Sequence, residues 1–312
     1  MVAFICRRLL SGVALVFVVS ALTAFLIFAG GMDIARNILG TNATEEQVAQ
    51  RAAELGLDRP AWQQYADWLG AALTGDLGRS YFSSEPVLQA LSTRLPVTLS
   101  VVLTAVLVTA VLSAALGVLA AVRRGWVDRF VQLANVVVGA IPNFWLALVL
   151  VSVFALNLRL FPATGYVPFL ESPAGWLLSI TLPVASLVIG GLGAAMIVRS
   201  SVIDVLRLDF VRTLRSRGLS QREVLTKHVM RNAAPPFLTV MSLAFIGMFG
   251  GAVVIEKVFA IPGVGTLANN AAQRGDVPLV LGVVSVTVAV VVVVNLVIDI
   301  LNGWLNPKVR VQ

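Results

Sequence analysis

The most charged stretch of the chain is DFVRTLRSRGLSQREVLTKHVMRN, residues 209–232. It sets Arg212, Arg215, Arg217, Arg222, Lys227 and Arg231 against Asp209 and Glu223. A guanidinium offers a planar fork of donors that fits a carboxylate. Arg212 and Arg215 lie three residues apart and share one face of any helix that contains them. Gly218, near the middle, permits a turn with positive φ and the close approach of another backbone. The chemistry on offer is recognition of an acidic partner, by a short helix after Arg212 that breaks at Gly218. The competing reading is a solvated helical hairpin whose arginines serve only to orient the chain in a membrane.

Bond-making chemistry is scarce elsewhere. The chain has one cysteine, Cys6, and one histidine, His228. No intrachain disulfide or zinc-type cluster can be assembled from them, so no metal is expected. His228 reads as a polar residue of the basic segment and Cys6 as a small residue near a membrane face. The three lysines, Lys227, Lys257 and Lys308, follow Thr226, Glu256 and Pro307. A phosphate-cradling loop needs a lysine directly after glycine. No catalytic residue is expected, and no cofactor bound by this chain.

Of the 312 residues, 58% are hydrophobic and 12% charged, a balance unlike that of a soluble domain. Six uncharged runs reach the ~20 residues that cross a bilayer: 9–32, 97–122, 130–158, 172–198, 232–255 and 277–298, the last span being taken on to 302. Each reads as a helix, because an isolated span must satisfy its backbone internally and none of the runs alternates as barrel strands do. The first run, behind Arg7 and Arg8, is too long for a signal core and lacks a small-x-small cleavage site, so it reads as an anchor rather than a signal peptide. The fold class expected is an all-α integral membrane protein with six spans.

An even number of spans puts residues 1–8 and 303–312 on one side. That side also receives Arg123, Arg124, Arg129, Arg199, Arg207 and the basic stretch, then Lys308 and Arg310, and so holds the greater part of the 23 lysines and arginines. It is expected to be cytoplasmic. The net charge of +7 records this asymmetry and does not require a nucleic-acid partner. The opposite side receives 33–95 as a helical insert and 256–276 as a loop. Thr44 and Gln47 form a capping box, Gly56 stops that helix, and Pro60 opens another. There Ala61, Tyr65, Trp68, Leu69 and Ala72 share a face, and Trp62, Tyr65 and Trp68 suit a membrane boundary. Pro96 is expected to open the second span; Pro142, Pro183 and Pro235-Pro236 mark helix starts or kinks. Pro262, Gly263 and Gly265 demand a turn, followed by a short helix over 266–273. The spans lack charge through their middles, and Asp299 and Glu256 sit at span ends where they reach water. This weakens a proton- or ion-coupled carrier, which usually buries acids.

Several collinear segments carry a family resemblance: AELGLDRPAWQQYADWL, GDLGRSYFSSEPVLQALSTRLPVTLS, GVLAAVRRGWVDRFVQ, IPNFWLALVL, LFPATGY, GAVVIEKVFAIPGVGTL and NLVIDILNGWLNPKVR. Along nearly its whole length the chain resembles the B-type permease subunit of dipeptide/oligopeptide ABC importers. DFVRTLRSRGLS resembles the ATPase-coupling loop of that branch, with Gly218 at the motif's glycine and Arg212-Thr213-Leu214 where the wider family has Glu-Ala-Ala. AGGMDIARN departs from the family's Pro-Gly-Asp-Pro-like turn, and QRGDVP from its Arg-Asp-x-Pro run.

The resemblance implies a type I importer permease fold and half of a translocation path in the plasma membrane. It implies a homologous second permease, two cytoplasmic ATPases carrying ATP and Mg, an extracytoplasmic binding protein and surrounding lipid. It assigns Arg212, Thr213, Leu214, Arg215, Arg217, Gly218, Leu219 and Arg222 to ATPase coupling in a loop spanning 199–231. The outer turn, with Glu256, Phe259, Pro262, Gly263 and Gly265, would gate or receive the solute, or be a plain connection. Substrate-binding residues are unknown at this level. The remaining alternatives are an ion-coupled carrier and a membrane scaffold that binds partners through the basic loop.

Overall fold

The computed structural model describes residues 2–28, 31–40, 42–123 and 125–305. Arg124, Lys308 and Arg310 of the cation asymmetry lie outside them, as does most of the expected 303–312 tail. The elements are α1 (Val2–Phe28), α2 (Gly31–Leu39), α3 (Glu45–Glu54), α4 (Ala61–Leu73), α5 (Val87–Arg123), α6 (Trp126–Gly139) and α7 (Asn143–Asn157). There follow α8 (Pro173–Gly191), α9 (Ala194–Leu206), α10 (Asp209–Ser216), α11 (Gln221–Val258), α12 (Val264–Arg274) and α13 (Val277–Leu305). No strand occurs among the described residues beyond one isolated bridge between Arg79 and Pro86. Five helices are long and apolar enough to cross a membrane; α6 and α7, bent by 95° at their junction, make a sixth if taken together.

Two compact units result. One comprises 2–97 and 262–293, the other 98–261 and 294 onward. In the first, the capping box forms as expected: Gln47 N–H donates to Thr44 Oγ1, and the Gln47 side chain accepts from Thr44 N–H. Gly56 follows the end of α3 with φ +67°. α4 lays Tyr65, Trp68 and Leu69 against Ala24, Phe28, Val277 and Leu281. Tyr65 turns inward. It is buried, and its hydroxyl lies 2.8 Å from Ser20 Oγ of α1, because a phenol inside an apolar layer needs a polar partner. Trp62 is exposed.

Several expected helix ends moved. Pro96 does not open a helix; α5 begins at Val87 and Pro96 lies inside it. The preceding turns carry Val87, Ala90 and Leu91 into a core with Val280 and Val283, and that burial offsets the lost hydrogen bond at the proline. Pro235, Pro236 and Pro183 are likewise helix-internal. Pro142 precedes a helix, capping α7 at the α6–α7 break, as Pro60 precedes α4. The run 130–158 is therefore two rods rather than one, and 172–198 divides at Leu192 and Gly193.

In the second unit α9 packs along α11 and α7 along α8. Small residues let these helices approach closely: a Cβ built on Gly117 of α5 would stand 2.5 Å from the Ala195 carbonyl of α9.

Candidate functional site: the arginine-faced helix and the outer turn

The expected loop at 199–231 is mostly helix. α9 runs to Leu206, α10 occupies Asp209–Ser216, and α11 begins at Gln221, eleven residues before the apolar run it continues into. The short helix thus starts three residues earlier than Arg212. Apolar periodicity explains the ordering. Val211 and Leu214 lie three apart on one face of α10 and pack with Leu219, Val202, Val205, Val224, Val229 and Ala121. Val211 is 1% exposed, and burying such a side chain contributes about 2 kcal/mol. Arg212 and Arg215 lie off that face, Arg217 caps the helix and Arg222 stands in the first turn of α11; all four are exposed. Arg212 stands 3.7 Å from Asp209, both nearly bare, so that contact adds little and leaves the guanidinium available.

Gly218 closes α10. Its φ is +85°. Its N–H donates to Arg215 O at 3.0 Å and Leu219 N–H to Leu214 O at 3.3 Å, the paired bonds of a Schellman stop with its apolar contact between Leu214 and Leu219. A Cβ at Gly218 would meet nothing within 4 Å. Within this chain the glycine answers a backbone requirement, not crowding. Ser220 then caps α11, its Oγ accepting from Glu223 N–H. One π-helical segment, Val224–Val229, follows. Glu223 is bonded to Lys227 at 2.7 Å, which holds its carboxyl below the usual range.

The 256–265 turn differs from expectation. Glu256 does not reach water: it is 2% exposed, and its carboxylate accepts from the buried Thr98 hydroxyl of α5. A carboxylate at a span end is retained inside only when hydrogen-bonded. Phe259 is 1% exposed, and its carbonyl accepts from Gly165 N–H at 2.8 Å. Tyr166 OH lies 3.2 Å from Ser100 Oγ. The end of α11, Thr98 and Ser100 of α5, and the 159–172 segment are thereby joined, Glu256 and Phe259 meeting partners that the sequence reading had not assigned to them. The positive φ of the turn falls on Ala260, at +50°. Gly263 is extended at the start of α12 and Gly265 is helical, so neither glycine is needed for a left-handed backbone. Pro262 is exposed. In the same unit as these two, the Asp276 carboxylate accepts from Ser80 Oγ and from Tyr81 N–H, tying the 78–86 segment to the start of α13.

Residues 113–311 match the family described as binding-protein-dependent transport system inner membrane component, and residues 1–102 match its N-terminal counterpart. The chain belongs to this family. It is a multi-pass inner-membrane permease subunit of an ABC importer, and the permease has no ATPase site of its own. A putative peptide transport system permease protein of Brucella abortus is 39% identical over 312 residues, 99% of each chain. The di/tripeptide transport system permease protein DppB of Pseudomonas aeruginosa is 34% identical over the full length of both. The glutathione transport system permease protein GsiC of Escherichia coli is 33% identical over 99% of each. The inward-facing MetNI methionine ABC transporter aligns with a TM-score of 0.59 and 16% identity, over 72% of this permease and 99% of that chain, which is likeness of fold.

An apolar groove of about 590 Å³ runs between α1, α4 and α13, past Val13, Phe17, Leu69, Leu73 and Ala289. A peptide requires convergent polar groups to orient it. This groove offers few, among them Ser20 and Ser285.

Proposed function

We propose that this permease forms half of the path of an importer for peptides or similar small solutes, and that α10 is its ATPase-docking helix. The names of the relatives support the solute class. The observation that carries the docking reading is the division of α10: arginines on the free face, Val211 and Leu214 locked onto α9 and α11, a glycine stop between. An acidic groove on a cytoplasmic ATPase receives Arg212, Arg215, Arg217 and Arg222. The core behind α10 passes its displacement into two longer helices. The full assembly adds a homologous second permease, two ATPases that bind ATP and Mg, and an extracytoplasmic binding protein. In this reading both termini and α10 face the cytoplasm.

On the opposite side, Glu256 ties the end of α11 to Thr98 of α5 and Phe259 ties it to Gly165, and the following Pro262, Gly263 and Gly265 start α12. This turn receives solute or gates it. The test is coexpression with candidate ATPase subunits, copurification, and uptake of a labelled dipeptide into vesicles with and without ATP. Copurification with ATP-dependent uptake is expected. ATP-independent uptake, or no association with any ATPase, would refute the reading. A permease whose 256–265 segment is exchanged for an unrelated turn and still imports at the normal rate would reduce that turn to a connection.

A further inference from the structure

Arg199, on α9, entered the sequence reading only as a cation that orients the chain, and Asp128 did not enter it. In the structure they meet. Nε and Nη2 on one edge of the Arg199 guanidinium donate to the two carboxylate oxygens of Asp128, in the first turn of α6. Gln132 Nε2 donates to the same carboxylate at 2.9 Å. The side chains are only 25% and 15% exposed. A two-pronged pair shielded from salt is directional and strong, unlike an exposed single contact.

We propose that the Arg199–Asp128 pair is the positioning link that carries displacement of the docking helix from α9 into α6. The proposal rests on the reading of α10 as the ATPase-docking element. α9 is fixed to α10 through Val202 and Val205, which share a core with Val211. It must move when α10 moves. Apolar helix faces can slide past one another, whereas a bidentate pair resists both push and pull. The far end of α6 meets the break at 140–142 and the 95° bend into α7. α6 is therefore an arm with a sharp bend at one end and a polar grip at the other. A static staple would show the same contact but no shared motion.

Paired nitroxide labels on the importer purified with its ATPases, in a Cys6→Ser background, separate these cases. The distance from Asp204→Cys on α9 to Leu107→Cys on α5 reports whether α9 moves when ATP and vanadate trap the ATPases. The distance from Asp204→Cys to Val137→Cys on α6 reports whether α6 follows. All three positions are exposed. We expect the first distance to shift on the order of 2 Å, as helix shifts do, and the second to hold constant. In Arg199→Gln the second distance should shift too. In the exchange Arg199→Asp with Asp128→Arg it should hold again. If Arg199→Gln fails to assemble, Arg199→Lys, which keeps the charge and loses the fork, should show the same loss in part. An unmoved first distance would remove the docking reading itself and this proposal with it. A shifted first distance, with a second that moves in the unaltered pair or stays constant in both Arg199 variants, would overturn the link alone.

Discussion

Replacing Gly218 separates two reasons for having a glycine there. The backbone stands at φ +85° and no atom of the chain lies within 4 Å of the missing Cβ. Alanine therefore fits the space but not the conformation, at a cost of about 1–2 kcal/mol for an L residue in the left-handed region. Asparagine is larger but enters that region far more readily. If local opening of α10 carries this cost, its amides should exchange roughly 5–30-fold faster in Gly218→Ala than in the parent. Gly218→Asn should fall between, and Gly218→Val should be worst, being β-branched as well as left-handed. Hydrogen exchange read by mass spectrometry on the 209–220 segment in detergent measures this directly, and ATPase copurification measures the consequence. The expected order is Gly, Asn, Ala, Val for both. Alanine exchanging like glycine would refute the backbone argument. An unchanged exchange order in which Asn binds the ATPase worse than Ala would show that the partner, not the turn, limits bulk at this position.

Three further outcomes follow from the geometry. Arg212→Glu with Arg215→Glu reverses charge on the free face of α10 while leaving Val211 and Leu214 seated, so the protein should insert at normal levels and lose ATPase association; retained association would discard the charge complementarity. Single cysteines at Arg79 and Arg217 in a Cys6→Ser background should label oppositely with an impermeant thiol reagent in intact cells, Arg79→Cys reacting and Arg217→Cys protected; equal labelling would sink the proposed orientation. Glu256→Ala leaves the buried Thr98 hydroxyl without this acceptor and should destabilise by about 1–3 kcal/mol, whereas Glu256→Gln, which keeps an oxygen, should cost less; thermal unfolding in detergent orders them, and equal losses would show that the Thr98 bond is not what matters.

Composition alone determined that this chain lives in a membrane, because long runs without charge have no other stable solvent. Local signals placed the Thr44 capping box, the Gly56 stop and the break at Gly218, since each is decided by a few neighbouring residues. The arginine cluster stood out before any coordinates, but charge alone left partner docking and membrane orientation equally open as its use. Helix ends were another matter. Pro96 looked like a start, yet burial of side chains such as Val87 and Leu91 carried α5 past it. Glu256 looked water-bound until Thr98, 158 residues away in the chain, supplied its partner. Arg199 and Asp128, separated by 71 residues, could not be paired by any pattern. Hydropathy and turn chemistry act over a few residues and can be read in order along the chain. Whether a buried polar group is satisfied depends on which distant helix packs beside it, and only the tertiary fold decides that.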